Sequence, residues 1–69
     1  QEAFQISGSK IIIRHPNPAT LTIYNLNGQI VNRLRVSKGD AIPTSHLKHG
    51  IYIATLQTEN RVWKIKFRP

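Results

Sequence analysis

The sequence predicts an all-β fold, an antiparallel sandwich of six to seven short strands. Apolar residues cluster in short β-branched or aromatic runs, and turn signals separate these runs every few residues. Several runs alternate apolar with polar side chains, and no stretch of helix length shows the period of 3.6 residues that an amphipathic helix requires. A small closed barrel would show a similar pattern and is the alternative architecture.

The first two strands are short and rich in isoleucine. Phe4 and Ile6 alternate before a Ser-Gly-Ser turn, and residues 10–15 contain three consecutive isoleucines. Pro16 and Pro18 follow, and we expect them to end the second strand because proline has no backbone N–H and forces extended geometry.

The next two strands are predicted to form a hairpin. Residues 20–26 place Leu21 and Ile23 on one face, and residues 29–36 return with four further apolar positions. Asn27-Gly28 lies between them and predicts a type I′ turn, in which both central residues need a positive φ.

The second half begins with a short strand at residues 41–42, which Pro43 ends. Residues 44–49 are polar and predict one helical or irregular turn with Leu47 as its only apolar anchor. Residues 50–58 predict the second strong strand of the chain.

Residues 61–68 predict the last strand, which alternates cleanly. The two faces of this strand carry Trp63, Ile65 and Phe67 on one side and Lys64, Lys66 and Arg68 on the other. We expect the aromatic face to enter the core and the basic face to be exposed.

Tyr52 favours a sandwich of the immunoglobulin-like type. It stands at the start of a strand that crosses the core, where such domains form a tyrosine corner between the hydroxyl and an upstream backbone group. Tyr52, Ala54 and Leu56 would then face inward, and Gly50 would supply a positive φ or a close approach.

Composition excludes most enzyme and metal chemistry. The 69 residues contain ten Lys and Arg, three Asp and Glu, and no cysteine, for a net charge of +7. His46 and His49 lack enough companion ligands for zinc, and a triad of Ser45, His46 and Asp40 would need a pocket that so small a sandwich does not supply. We therefore predict no enzyme activity, no metal and no cofactor.

The basic charge raises two binding hypotheses. Cations two residues apart occur in two predicted strands, as Arg33 and Arg35 and as Lys64, Lys66 and Arg68, and such rows could follow phosphates. However, Trp63 and Phe67 alternate away from the last row, so stacking platforms for nucleic acid are missing and no nucleic-acid partner is expected. A surface-adhesive or carbohydrate-binding module is the alternative, and it would require an exposed Trp63.

Three motifs together carry a family resemblance. Residues 21–31, Leu-Thr-Ile-Tyr-Asn-Leu-Asn-Gly-Gln-Ile-Val, resemble the central motif of the C-terminal sorting domains of the Bacteroidetes type IX secretion system. Residues 47–54 are similar to that family's leucine and Gly-x-Tyr motif, and residues 64–68 resemble its basic terminal strand. Pro-Asn-Pro at residues 16–18 also resembles a feature near the family's start, so the likeness covers nearly the whole chain.

The resemblance implies a secretion signal. Such a domain forms the C-terminal end of a cargo protein that crosses the inner membrane, transits the periplasm and meets shuttle proteins and an outer-membrane translocon. A surface sortase then removes the domain, or the domain is retained at the cell surface. We therefore expect residues 1–69 to be a single sorting domain and a fragment of a larger secreted protein.

The resemblance also implies roles for individual residues. Recognition by the translocon or sortase is expected of Gln29, Lys64, Lys66 and Arg68. Motif positions with a structural role are Asn27, Gly28, Leu47, Gly50 and Tyr52. Because terminal strands would be exposed at sheet edges, we expect the isolated domain to form a strand-exchanged homodimer at high concentration.

Overall fold

The computed structural model describes residues 3–69, and these residues form seven β-strands and no helix. The strands are β1 Phe4–Ser7, β2 Lys10–Ile13, β3 Ala19–Asn25, β4 Ile30–Val36, β5 Ala41–Pro43, β6 Tyr52–Gln57 and β7 Val62–Phe67. Every strand pair is antiparallel. The predicted all-β class and strand number are thus confirmed.

The strands form two sheets that share one core. One sheet has the order β1-β2-β5 and the other the order β4-β3-β6-β7. Buried side chains from both sheets belong to a single apolar cluster: Ala3, Phe4, Ile11, Ile13, Ala19, Leu21, Ile23, Val36, Tyr52, Ala54, Leu56 and Phe67. This shared core is the packing expected of a sandwich.

The isoleucine triplet shows how alternation builds the smaller sheet. Ile11 and Ile13 are buried while Ile12 between them is only half-buried. The strand ends at Ile13 rather than at the predicted residue 15, because the N–H groups of Arg14 and His15 both donate to the carbonyl oxygen of Ala3 at 2.8 Å. The chain therefore leaves the ladder two residues early.

Strands β3 and β6 form the centre of the larger sheet. Leu21 pairs with Leu56 and Ile23 with Ala54, and all four side chains are at most 1% exposed. Interior position explains this burial, since both strands have a neighbour on each side within their sheet. The edges of this sheet are β4 and β7.

The tyrosine corner is present. The Tyr52 hydroxyl donates to the carbonyl oxygen of Lys48 at 2.9 Å, and the Tyr52 and Phe67 rings lie 6.0 Å apart. Leu47 packs against the core from the irregular turn, as the sequence predicts. Gly50 has a φ of 149°, which is consistent with the positive φ expected there.

The type I′ turn at Asn27-Gly28 was a wrong prediction. Gly28 has a φ of 85°, but no residue other than glycine has a positive φ within the described range 3–69. The Gly28 N–H donates to the Asn25 carbonyl and the Asn25 N–H to the Gln29 carbonyl, each at 3.0 Å. These bonds define a three-residue loop in which the positive φ falls on the glycine after the turn.

Among residues 3–69 the structure has no helix with the length and apolar character needed to cross a membrane.

Candidate recognition surface

The outer face of the four-stranded sheet is the candidate surface, because alternation sends its side chains away from the core. Strand register aligns these side chains in three rows that run from β4 across β3 and β6 to β7. The rows are Arg35, Thr20, Gln57 and Val62, then Arg33, Thr22, Thr55 and Lys64, and finally Ile30, Tyr24, Ile53 and Lys66. Cations therefore flank a central band of threonines.

The β7 edge carries two of the predicted recognition residues. Lys64 and Lys66 are exposed, whereas Trp63 and Ile65 pack against the core and Phe67 is buried. The predicted alternation of this strand is thus confirmed. No hydrogen bond of either lysine side chain to residues 3–69 is present.

Gln29 and Arg68 lie at the same end of this sheet as Lys66. Gln29 follows the β3–β4 loop, and its side-chain oxygen accepts a hydrogen bond from the Asn25 amide at 3.0 Å. Arg68 is exposed just beyond β7. The two residues flank opposite edges, so three strand spacings, about 14 Å, separate them. The structure therefore groups Lys64, Lys66 and Arg68 and leaves Gln29 apart.

A shallow depression of about 320 Å³ lies on the outer face of the four-stranded sheet, over β3, β6 and β7. Tyr24 and Ile53 line it, and Leu26, Val62 and Lys64 reach its margin. Leu26 is 63% exposed and Val62 52% exposed, so apolar side chains of the depression face solvent. The basic β7 edge thus borders an apolar surface.

The remaining motif residues support turns. Asn27 and Gly28 shape the β3–β4 loop, where the Asn25 side-chain oxygen accepts the Asn27 N–H at 2.9 Å and the Gln29 N–H at 3.0 Å. These two hydrogen bonds explain why an asparagine, Asn25, stands directly before the loop. Asn27 and Gly28 are exposed within this loop.

The β4 edge carries arginines whose positions are fixed by hydrogen bonds. The Nε of Arg33 donates to the Thr22 hydroxyl at 3.3 Å, and a terminal nitrogen of Arg35 donates to the Thr20 hydroxyl at 3.2 Å. Both arginines are exposed, and these bonds tilt their side chains over β3. Each guanidinium keeps further N–H groups for a ligand.

A groove of about 1000 Å³ contains these two arginines and two more. Arg14 from the end of β2 and Arg61 from the β6–β7 turn line its other walls, and the Pro-Asn-Pro segment borders it. Of the lining residues within the described range 3–69, Glu59 is the single acidic one. We call this feature the arginine groove.

Sequence reasoning missed the arginine groove as a site. It recognised Arg33 and Arg35 as a row, but Arg14 and Arg61 come from other segments that only the fold brings together. The one available signal was local: Arg61 stands two residues before the single tryptophan.

Trp63 also lines the groove, and two side chains lie close to its ring. The His15 ring centroid is 5.1 Å away, and the guanidinium carbon of Arg61 lies 4.8 Å from the tryptophan centroid, within the range of a cation–π contact. Trp63 is half-buried. It does not form the flat exposed platform that a carbohydrate-binding module would require.

Among residues 3–69 there is no cluster of three or more His, Cys, Asp or Glu side chains that could hold an ion. The exposed His46 and His49 stand without a third such ligand.

The chain is thus a small all-β domain of two antiparallel sheets with an exposed, basic and partly apolar outer face. Its family is also clear: the chain belongs to the secretion system C-terminal sorting domains, whose family model matches residues 2–67. No curated protein and no solved structure matched the chain.

The family match establishes the general function. The domain is a C-terminal sorting signal of type IX secretion, and this family consists of secretion signals and not of enzymes. Its role implies export through the outer membrane to the cell surface or the extracellular space. The resemblance given by the three sequence motifs is confirmed.

Proposed function

We propose that this domain directs one larger cargo protein through the outer membrane and is read by the secretion machinery at its β7 edge. The observation that carries this proposal is the exposure of Lys64 and Lys66 opposite a core-facing aromatic row on the same edge strand. An edge strand presents unpaired backbone groups as well as side chains, so a partner can meet both.

The path of the cargo follows from the sorting role. Residues 1–69 act as the C-terminal part of the cargo, which passes the inner membrane, transits the periplasm and meets shuttle proteins and the translocon. A surface sortase then cleaves the domain, or it stays at the cell surface. The domain itself performs no catalysis and needs no cofactor.

Four residues are proposed to contact this machinery. Lys64, Lys66 and Arg68 form a basic row beside the apolar depression, and Gln29 adds a polar contact from the opposite edge. Mixed surfaces of this kind suit protein partners, because apolar contact supplies affinity while charges set orientation.

The exposed edges of the larger sheet also allow two copies of the isolated domain to associate. We propose that, without its cargo and partners, it forms a homodimer by strand exchange or edge pairing at high concentration. Both β4 and β7 end the larger sheet and offer such an edge.

Export of a reporter tests the sorting function. Residues 1–69, fused behind a reporter with an export leader in a host that has this secretion system, should carry the reporter to the cell surface or medium. Periplasmic retention of the unmodified fusion would refute the sorting function.

Charge removal tests the recognition edge. The triple variant Lys64→Gln, Lys66→Gln, Arg68→Gln should lower export at least about tenfold, because charged contacts to the machinery are lost. A matched variant, Lys10→Gln, Lys38→Gln, Lys48→Gln, removes the same charge from exposed positions elsewhere and should export normally. Equal losses in both variants would show that total charge, and not the β7 edge, is read.

A further inference from the structure

We propose that the arginine groove binds an acidic, extended segment of a protein partner. This inference rests on the proposed function, since it assigns a second contact site to the machinery that reads the domain. The groove lies toward the Arg35–Val62 row of the outer face, whereas the Tyr24–Lys66 row and Arg68 lie at the other end.

Residue composition singles out the groove. Four of the five arginines in the chain line it, together with the only tryptophan, while none of the five lysines does. Protein interfaces are enriched in arginine and tryptophan and depleted in lysine, and the same two residue types dominate binding hot spots. A surface that merely keeps the protein soluble would not separate the two cations in this way.

The geometry of Arg33 and Arg35 suits carboxylates. The threonine bonds at 3.3 and 3.2 Å hold both guanidinium groups over β3, so less side-chain entropy is lost when a ligand arrives. Each planar group can still donate in pairs to a carboxylate. The two residues alternate along one strand, about 7 Å apart, which matches the spacing of alternate side chains in an extended peptide.

Other anionic polymers fit less well. Single-stranded nucleic acids need an open aromatic face for stacking, but His15 and Arg61 already contact the Trp63 ring. A sugar ring would meet the same obstacle. β3 and β6 are interior strands, so a ligand on their outer face meets side chains instead of free backbone groups. An acidic peptide can bind there through its side chains, because its carboxylates can accept hydrogen bonds from the guanidinium groups.

A peptide titration tests the proposal directly. The probe is a capped peptide with glutamate at five alternate positions and threonine between them, and the matched control peptide has glutamine in place of glutamate. Trp63 is the only tryptophan, so its fluorescence reports occupancy of the groove. The glutamate peptide should bind and change the emission, and the glutamine peptide should not.

Paired variants separate the groove from bulk charge. Arg33→Gln with Arg35→Gln should weaken binding at least about tenfold, whereas Lys10→Gln with Lys38→Gln removes the same charge from exposed positions outside the groove and should weaken it less than about twofold. Equal weakening would overturn the proposal. Thermal unfolding verifies that each variant is folded, and Arg61→Gln, which breaks no threonine bond, gives the same test if the β4 variant is not folded.

The class of ligand is tested with two further probes at equal charge. An oligogalacturonate or an oligothymidylate that binds more tightly than the glutamate peptide would overturn the assignment to a protein segment. The reporter fusion separates this inference from the sorting function: normal export of the Arg33→Gln, Arg35→Gln fusion would overturn the groove's role alone, while failure of the unmodified fusion would overturn the sorting function and leave the titration result standing.

Discussion

The two edges of the larger sheet carry equal charge in different form. On β4, Arg33 and Arg35 bend over the sheet and donate to Thr22 and Thr20. On β7, Lys64 and Lys66 are exposed, and no hydrogen bond joins their side chains to the described residues 3–69. Register places Arg33 and Lys64 in one row across the strands. The difference in hydrogen bonding between the two edges therefore does not come from different positions along the strand direction.

The difference separates two physical uses of positive charge. Bound arginines are already oriented and can donate paired hydrogen bonds, so they favour short-range, directional binding. Hydrated lysines act as mobile point charges that attract a partner over roughly a Debye length, about 8 Å at physiological salt. Lysines on an edge strand also discourage accidental pairing with other sheets. Salt should therefore weaken the contribution of β7 more than that of β4.

Both edges depend on the same central strand, and breaking it gives the largest expected effect. Leu21 is fully buried in β3, between the partner positions Leu34 on β4 and Leu56 on β6. Leu21→Ala should cost about 2–5 kcal/mol of unfolding free energy. A domain of this size has roughly 3–10 kcal/mol in total, so most of its stability would be lost. Denaturant unfolding measures the change.

Leu26→Ala is the matched control, because Leu26 is exposed in the β3–β4 loop. It should change stability by less than about 0.5 kcal/mol. If Leu21→Ala proved equally mild, the two edges would not depend on a shared core, and the explanation of their geometry from β3 would be wrong.

The tyrosine corner supports the β7 side more than the β4 side. Tyr52 pairs with Phe67 in the ladder, and its hydroxyl holds the upstream turn through Lys48. Tyr52→Phe removes one hydrogen bond and leaves a carbonyl without its partner, which should cost about 1 kcal/mol. Hydrogen exchange should rise more at β6 and β7 than at β4.

Tyr24→Phe provides the comparison for this variant. Tyr24 is half-exposed on the outer face, so loss of its hydroxyl should be nearly neutral. A Tyr52→Phe protein as stable as Tyr24→Phe would show that the corner adds no stability. Uniform exchange across all four strands would instead show that the corner supports both edges alike.

The fold was largely predictable because alternation carries local information. Trp63, Lys64 and Ile65 alternate with period two, and burial follows that order in the structure. The hydrogen bond of Tyr52 was predictable because a tyrosine at the start of a core strand forms a known corner with an upstream backbone group. The β3–β4 turn was not, since Asn27-Gly28 fits two loop lengths and the cap from Asn25 decides between them.

The surface was predictable only where one strand supplies it. The lysines of β7 are neighbours in sequence, so their common face follows from spacing alone. Arg14 and Arg61 are 47 positions apart, 61 − 14, and meet only because the β2–β3 and β6–β7 segments reach the same end of the sandwich. No local pattern encodes that meeting. Long-range contacts therefore mark the boundary of what this sequence reveals.

Self-association gives the smallest expected effect and compares the edges directly. The isolated domain should be monomeric at micromolar concentration and dimeric at millimolar concentration, measured by sedimentation equilibrium. Backbone pairing at an edge favours association, whereas like charges of two copies oppose it.

Lys64→Gln with Lys66→Gln should strengthen the dimer if β7 is the pairing edge, because the repulsion there is reduced. Arg33→Gln with Arg35→Gln should do so if β4 is the pairing edge. Since hydrogen bonds to threonines hold the arginines over β3, whereas no such bond holds the β7 lysines within residues 3–69, we expect the lysine variant to have the larger effect. A sedimentation profile that stays monomeric at millimolar concentration in all three proteins would show that neither edge pairs.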